Sequence, residues 1–262
     1  MTLDLATLLE NRRWLMSYYP FPHVRAHNIF QPFAYREIER SFLKILGFGL
    51  REERVAERFS RIFRDYDAYG SRLPHDKEDP LWIFASREWH DLLAGLFRLR
   101  TTGDINVELH HHTLGSSHGR IHNDFNPGWF LGEASLSGVN LSDGDICSYK
   151  FGTLRCATPL QPHRRIRALA MIFYLANKNW KQGDGGETGL YEFGDADVAS
   201  PDVAIAPTCN SLLAFEVTPH SFHAFLKNKR SVRNAVVLWL HRDYKEAATQ
   251  WGEAAIVEWP GK

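Results

Sequence analysis

The sequence is poor in the features that mark exported or membrane-spanning proteins. Its three cysteines, Cys147, Cys156 and Cys209, include no C-x-x-C pair. This argues against a disulfide framework or a cysteine zinc knuckle and favours a reduced, cytoplasmic setting. The longest apolar run, residues 168–176, is about half the length of a bilayer-crossing helix. No export signal is readable at the N-terminus, so we expect neither membrane insertion nor export.

The chain also lacks an excess of charge of either sign. Lys+Arg 31 balance Asp+Glu 31, so the basic surface expected of a protein that binds nucleic acid or anionic membranes is missing. The 262 residues are 44% hydrophobic, which is enough for a sizeable buried core. They contain no internal repeat or low-complexity linker, so we predict one domain over 1–262. The 13 histidines depart most from average composition, and histidine chemistry is therefore the first function to consider.

Residues 1–103 are predicted to form a helical support region. Apolar side chains recur at helical spacing in residues 35–46 and again in residues 51–66, where Val55, Phe59, Ile62, Phe63 and Tyr66 share one face. The mixed charges between them are typical of a solvated helix face. Ser86 can cap a third helix, with Trp89 and Leu93 in its buried stripe.

Beyond the Gly103-Asp104 turn the apolar period becomes two. Ile105, Val107 and Leu109 alternate with polar residues, so we predict a strand with one apolar and one polar face. Strand-like segments follow at 121–125, 166–176, 188–193, 203–206, 211–217, 222–226 and 234–240. The pattern predicts an α+β, mainly β fold, with a jelly-roll barrel over 104–242 supported by N-terminal helices and followed by a tail, 243–262.

One short motif has the spacing of a metal site. His122 and Asp124 are two apart on the predicted strand 121–125, so both side chains point to one face and can bind one metal ion. A facial triad needs a second histidine, and His223, which begins a predicted strand, is the best candidate; His220 is its competitor. An H-x-D motif alone is weak evidence, because His241-Arg242-Asp243 has the same spacing. That second match also reads as the HRD of a kinase catalytic loop, but no phosphate-binding loop accompanies it.

The ordered set RIHNDF, GDGGETGLY, PHSFHAF and Arg233 before NAVVLWL resembles the Fe(II)/2-oxoglutarate-dependent oxygenases, above all their prolyl 4-hydroxylase-like branch. The resemblance runs from about residue 107 to 241. It implies a double-stranded β-helix, with Fe(II), 2-oxoglutarate and O2 as cofactor and co-substrates. It also implies that His122, Asp124 and His223 bind iron and that Arg233 binds the distal carboxylate of 2-oxoglutarate.

A guanidinium pairs with a carboxylate through two parallel hydrogen bonds, and Arg233 precedes an apolar strand that can hold it still. Arg230, on the same turn, is interpreted as solvent-facing. Where the family usually has a tyrosine against the co-substrate, this chain has His112, with His110 on the same predicted face. Both histidines either contact 2-oxoglutarate or form an ordinary polar strand face.

The insertion, 126–165, is longer than the connection often found in the family, and it is either a substrate lid or a surface excursion. Candidate substrate-binding residues are Arg120, Asn123, Trp129, Arg155 and Glu187. Arginines near the expected pocket mouth hint at a carboxylate or phosphate on the substrate: Arg120, Arg155, Arg164, Arg165 and Arg167.

The predicted activity is hydroxylation, or another C–H oxidation, of a small polar molecule such as an amino-acid derivative or a biosynthetic intermediate. Halogenating relatives lack the carboxylate that Asp124 supplies here. Three alternatives stay open: a zinc-dependent hydrolase or lyase that uses His110, His112 and His122, a peptidyl hydroxylase, and a non-catalytic β-barrel binding module. The oligomeric state is also open, with a homodimer as one alternative.

Overall fold

A computed structural model describes residues 4–63 and 66–259, which form two β-sheets supported by helices. The α-helices are α1 (Leu5–Leu8), α2 (Pro32–Gly47), α3 (Arg87–Leu96) and α4 (Tyr244–Trp251), and two 3-10 helices cover Pro80–Ala85 and Glu253–Ala255. The strands are β1 (Leu15–Ser17), β2 (His23–His27), β3 (Leu50–Arg51), β4 (Phe59–Phe63), β5 (Tyr66–Ser71), β6 (Asp104–His112), β7 (Pro127–Leu131), β8 (Asn140–Leu141), β9 (Pro162–Tyr174), β10 (Thr188–Tyr191), β11 (Val203–Ile205), β12 (Ser211–Glu216), β13 (Phe222–Phe225) and β14 (Arg233–Asp243). No helix in the described ranges is long and apolar enough to cross a membrane.

Two of the predicted helices are confirmed. Helix α2 covers residues 35–46 and begins at Pro32, where the missing N–H leaves no hydrogen bond unmade. Helix α3 is capped by Ser86, whose Oγ accepts the Trp89 backbone N–H at 3.1 Å. Both helices bury their apolar faces in a cluster that also contains one face of the larger sheet.

The helix predicted over residues 51–66 is wrong, because this region forms strands β3 and β4 and the start of β5. Phe59 is fully buried, with its ring centroid 5.2 Å from that of Phe42 on α2. The Nε of Arg61 lies 2.5 Å from Oε2 of Glu52, which is nine residues earlier in the sequence. Pairing of β4 with β5, and of β5 with β6, thus outweighs the helical spacing of the apolar residues.

The larger sheet has the order β1-β2-β12-β9-β14-β6-β5-β4-β3, with β7 beside β9 and β8 beside β6. Strand β14 pairs with β6 so that Arg233 lies opposite His112, Val237 opposite Glu108 and Trp239 opposite Asn106. Because side chains alternate, Ile105, Val107 and Leu109 enter the cluster beneath the helices. The opposite face therefore carries Arg233 and Trp239 together with the polar β6 residues Asn106, Glu108, His110 and His112.

That opposite face is covered by the smaller sheet, which has the order β11-β10-β13. Leu190 and Ile205 of the smaller sheet pack in one buried cluster with Phe215 and Val237 of the larger one. Two sheets packed face to face around a common interior are the arrangement predicted for the jelly roll. Gly185, just before β10, has φ +80, and a Cβ there would lie 2.0 Å from the Lys227 carbonyl oxygen, so this turn requires glycine.

Two further expectations need correction. The strand predicted at 121–125 is reduced to an isolated bridge between His122 and His223, because Asp124 has φ 61, in the left-handed region that breaks strand pairing. The insertion contains strands β7 and β8, of which β7 pairs with β9 and β8 with β6. The region 1–103 likewise contains β1–β5 beside its helices. A single domain over 1–262 stays a prediction.

Candidate metal and co-substrate site

The two histidines of the predicted triad face each other through a backbone pair. The N–H of His122 donates to the carbonyl of His223 at 3.0 Å, and the N–H of His223 donates back at 2.8 Å. Side chains of such a pair lie on the same side of the two strands. The ring centroids are accordingly 4.3 Å apart, although the two residues are distant in sequence.

Backbone carbonyls fix which nitrogen of each imidazole is free to bind a metal. Nδ1 of His122 lies 2.9 Å from the Arg120 carbonyl, and Nδ1 of His223 lies 2.9 Å from that of Ser221. Nδ1 must carry the hydrogen in both contacts, so Nε2 keeps its lone pair. Burial, together with the neighbouring His122, lowers the pKa of His223 to about 4, so this imidazole is neutral at pH 7.

Asp124 brings a carboxylate between the two Nε2 atoms. Its Oδ1 lies 3.5 Å from Nε2 of His122, and its Oδ2 lies 3.7 Å from Nε2 of His223. Burial alone would raise the pKa of Asp124, but the Arg167 guanidinium, the two imidazoles and the Trp239 indole N–H hold it well below its usual range. The carboxylate is therefore ionised and can bind a cation.

This donor set fits Fe(II). The candidate ligand atoms of His122, Asp124 and His223 lie within 4.8 Å of one another, and two imidazoles with one carboxylate are the ligands of non-haem iron oxygenases. Within the described ranges, no other group of three histidine, cysteine or acidic side chains comes together in this way. His220 is exposed and lies outside the group, and His110 and His112 of the alternative zinc site also lie outside the group.

Arg233 is a buried cation whose guanidinium can bind an anion. Its Nη2 donates to Thr188 Oγ1 at 3.3 Å, and its Nε has no hydrogen-bond partner. The rings of Tyr174 and Phe225 lie 5.3 and 5.6 Å from its guanidinium carbon. In the part of the chain that the structure describes, no carboxylate pairs with Arg233. A buried, unpaired guanidinium is strongly disfavoured, so this environment suits a carboxylate supplied by a ligand such as 2-oxoglutarate.

His112 lies on the same interior face, directly opposite Arg233 in the β6–β14 pair. Its ring stacks on Phe225 with centroids 3.9 Å apart, and burial, with the Arg233 charge, lowers its pKa well below the ordinary value. A neutral imidazole here can donate to a co-substrate oxygen. His110 lies one step further along β6, where its Nε2 is 3.4 Å from Oε2 of Glu108.

A cavity of about 780 Å³ lies between β6 and the insertion. Among the five candidate substrate residues, Arg155 lines this cavity, and the other four do not. Arg120 is exposed, Asn123 bonds to the Pro219 carbonyl, and Trp129 lies beside Arg164. Glu187 offers its carbonyl to the Leu226 N–H. Arg164 and Arg165 pair with Glu258 and Asp104, which points to structural roles.

Three residues that hold the site were missed by sequence reasoning. Trp239 Nε1 donates to Oδ2 of Asp124 at 2.7 Å, and Arg167 binds Oδ1. Tyr149, in the insertion, has its hydroxyl 3.1 Å from Nε of Arg167. Arg167 was noted only as one of several arginines near the pocket mouth, and no sequence signal links it or Trp239 to Asp124.

Comparisons with known proteins agree with this geometry. Residues 148–241, which include His223 and Arg233, match the 2OG-Fe(II) oxygenase superfamily. Prolyl 3,4-dihydroxylase OGFOD1 of Ostreococcus tauri is 30% identical over 128 residues, which are 45% of this chain and 24% of that protein. Prolyl 3-hydroxylase OGFOD1 of Xenopus laevis is 37% identical over 78 residues, which are 29% of this chain and 15% of that protein. The match thus spans a quarter or less of these relatives' length.

Solved structures show the same fold. A prolyl-4-hydroxylase from Pseudomonas putida has a TM-score of 0.52 and 15% identity, covering 91% of this chain and 95% of its own. A prolyl hydroxylase from Trichoplax adhaerens, in complex with a hypoxia-inducible-factor peptide fragment, has a TM-score of 0.53 and 16% identity, covering 87% and 86%. The double-stranded β-helix is therefore confirmed. The fold is that of these prolyl hydroxylases, and the match to the 2OG-Fe(II) oxygenase superfamily covers residues 148–241 of this chain.

Proposed function

We propose that the protein is an Fe(II)- and 2-oxoglutarate-dependent dioxygenase that hydroxylates a C–H bond of a small polar molecule. The observation that carries the proposal is the convergence of His122, Asp124 and His223, with both imidazoles presenting Nε2. Bound Fe(II) and 2-oxoglutarate supply the chemistry, in which O2 converts 2-oxoglutarate to succinate and CO2 while the substrate C–H becomes C–OH. Cytoplasmic placement belongs to the same proposal.

The chain's own residues would bind the iron, orient its ligands and enclose the co-substrate. His122, Asp124 and His223 would hold the iron, and Trp239 fixes Oδ2 of Asp124. Arg233 would pair with the distal carboxylate of 2-oxoglutarate, where Tyr174 and Phe225 keep water away from the ion pair. His112, beside Arg233, is in place to donate a hydrogen bond to the same co-substrate.

The test is anaerobic and needs no substrate. Metal-free protein is given Fe(II) and then 2-oxoglutarate, and the weak visible charge-transfer band of an iron-chelated keto acid is recorded. We expect the band in the wild type and its loss in Asp124→Ala and His223→Ala. His220→Ala is the matched control, because His220 is exposed and outside the metal group, and it should keep the band. A band that persists in His223→Ala would refute the triad.

Hydroxylation of a peptidyl proline is the second candidate, and the prolyl hydroxylase activities for which the relatives are named favour it. A cavity of about 780 Å³ favours a small molecule, since cavities of this size enclose small ligands. Succinate release in the presence of blocked proline peptides or of free amino-acid derivatives separates the two candidates.

A further inference from the structure

The cavity beside the metal site has a wall of positive charge. Two segments contribute it: the loop before β4 carries Arg54, and the insertion carries Lys150 and Arg155. Arg72 and Lys77 complete the cationic lining. The acidic lining residues are Glu108, Asp143 and Asp145. Cations therefore outnumber carboxylates around this space, although the whole chain is neutral.

The carboxylates of the cavity are already engaged. Nη1 of Arg72 lies 2.8 Å from Oδ2 of Asp145 and 3.9 Å from Oδ1 of Asp143. Glu108, on the inner wall, faces His110 at 3.4 Å. Arg54 and Arg155 have no such partner: in residues 4–63 and 66–259, no carboxylate lies within ion-pair distance of either guanidinium.

Arg54 and Arg155 line the same cavity, and both residues are exposed. Partial burial first, and then the charges of Arg72 and Arg155, lower the pKa of Arg54 against the opposing charges of Glu108 and Asp145. The backbone of Gly144 allows this crowding, because a Cβ at that position would meet Nη2 of Arg72 and lie 3.5 Å from Nη2 of Arg54. Clustered guanidiniums are an arrangement that proteins use to bind phosphate or carboxylate groups.

The cavity adjoins the contacts that hold Asp124. Tyr149 lines it, and the Tyr149 hydroxyl lies 3.1 Å from Nε of Arg167. Arg167 in turn contacts Asp124 through Nη1 at 2.5 Å. Tyr149 thus lies between the cavity and the Arg167–Asp124 pair, and Trp82 and Phe151 also line the cavity.

We propose that Arg54 and Arg155, assisted by Lys150, bind an anionic oxygen group, phosphate or carboxylate, on a small-molecule substrate of this enzyme. The assignment of that molecule as substrate rests on the proposed function. The cationic wall selects against neutral and basic peptides, which offer it no anion.

The test uses matched aryl probes on protein loaded with Mn(II) and saturated with 2-oxoglutarate, so that Arg233 is already occupied. Phenyl phosphate, benzoate and neutral benzyl alcohol are titrated calorimetrically. We expect one of the two anions to bind at least about tenfold more tightly than benzyl alcohol, as charged hydrogen bonds would provide. The stronger anion identifies the group as phosphate or carboxylate.

Variants then locate the binding site. Arg54→Gln and Arg155→Gln should each weaken binding of the preferred anion about tenfold, with 2-oxoglutarate affinity unchanged. Arg36→Gln removes the same charge from an exposed position of α2 and should have no effect. Equal binding of benzyl alcohol and both anions, or anion binding that survives both cavity variants, would overturn the proposal.

Failure of the proposed dioxygenase function and failure of the anion site give different experimental results. If 2-oxoglutarate does not bind the wild type, the proposed function fails, and titration of phenyl phosphate and benzoate into the same protein still decides whether Arg54 and Arg155 form an anion site. If 2-oxoglutarate binds normally but neither anion responds to Arg54→Gln or Arg155→Gln, only the anion site is wrong.

Discussion

Arg167 and Asp124 form a buried ion pair at the edge of the candidate metal site, with Nη1 2.5 Å from Oδ1. The other carboxylate oxygen accepts the Trp239 indole N–H at 2.7 Å. Both oxygens of the candidate acidic ligand are thus held by donors from the neighbouring strands β9 and β14. Such outer contacts fix the orientation of a ligand before the metal arrives.

Replacing Trp239 with Phe tests this orienting contact. The ring is kept and the hydrogen bond to Asp124 is lost, so metal affinity should fall about ten- to a hundredfold. The dissociation constant for Mn(II) can be measured by electron paramagnetic resonance. Trp82→Phe is the control, since the Trp82 indole donates to the Pro74 carbonyl and does not contact Asp124. Equal Mn(II) affinity in the two variants would show that the indole contact has no role in metal binding.

Replacing Arg167 with Met leaves the Asp124 carboxylate buried without its charge partner. We expect the metal-free variant to lose about 3–5 kcal/mol of unfolding free energy. Saturating Mn(II) should restore part of the loss, because a bound cation compensates the carboxylate and binds only the folded state. Denaturant unfolding with and without Mn(II) measures both quantities.

Arg242→Met is the matched control for this experiment. Arg242 is also buried, but it pairs with Glu216 at 3.0 Å, away from the triad. Its variant should be destabilised too, yet gain no more from Mn(II) than the wild type does. If Mn(II) stabilises Arg167→Met by the same increment as the wild type, the ion pair and the metal act independently.

Arg233→Met should raise the dissociation constant of 2-oxoglutarate about a hundredfold, because the distal carboxylate would lose a charged, bidentate partner. Arg233→Lys keeps the charge without the planar guanidinium, so its dissociation constant for 2-oxoglutarate should lie between those of the wild type and Arg233→Met. Calorimetric titration of the Mn(II)-loaded protein gives these constants. The neighbouring Arg230 is exposed, so Arg230→Met should bind 2-oxoglutarate like the wild type; a large effect there would move the anchor.

The local spacing of residues predicts some helices and strands correctly and fails for others that depend on distant parts of the chain. Alternation correctly gives β6, and a serine cap correctly gives α3, because both signals lie within a few residues. Residues 51–66 have helical spacing, yet β4 pairs with β5 as a strand, since β5 is itself held against β6, which lies outside any local window.

The candidate site, like the fold, is predicted from the sequence only in part. His122, Asp124, His223 and Arg233 are found through the order of their motifs along the chain. The contacts of Asp124 with Arg167 and Trp239 depend on the register of β9 against β14, which shifts at a bulge between Leu240 and His241. Pairings across many tens of residues, and a bulge that changes which side chains face inward, leave no periodic signal.

His241, from the second H-x-D of the sequence, has a structural role that makes stability depend on pH. It is fully buried, its Nδ1 donates to the Asp104 carbonyl at 3.0 Å, and its Nε2 accepts the Tyr149 hydroxyl at 2.7 Å. Burial first, and then the nearby Arg167 charge, lower the pKa of His241 to about 3. The imidazole is therefore neutral in the folded protein and has no room for a second proton.

In the unfolded chain this histidine titrates near its ordinary value of 6.5. Between pH 6.5 and 3 the unfolded state therefore binds a proton that the folded state does not, so the stability that is present above pH 6.5 is lost as the pH falls. One such group contributes at most about 1.4 kcal/mol for each pH unit. Other buried histidines with a lowered pKa, His23, His90 and His111, act in the same direction.

His241→Asn isolates the contribution of this one group. The variant should be less stable than the wild type at pH 7.5, and the gap should narrow as the pH falls to 5, because the variant has one proton fewer to bind on unfolding. Urea unfolding at a series of pH values measures the slope. His220→Asn, at an exposed site, should keep the wild-type slope. A gap between His241→Asn and the wild type that stays constant over this range would mean that His241 already carries a proton in the fold, against its two hydrogen bonds.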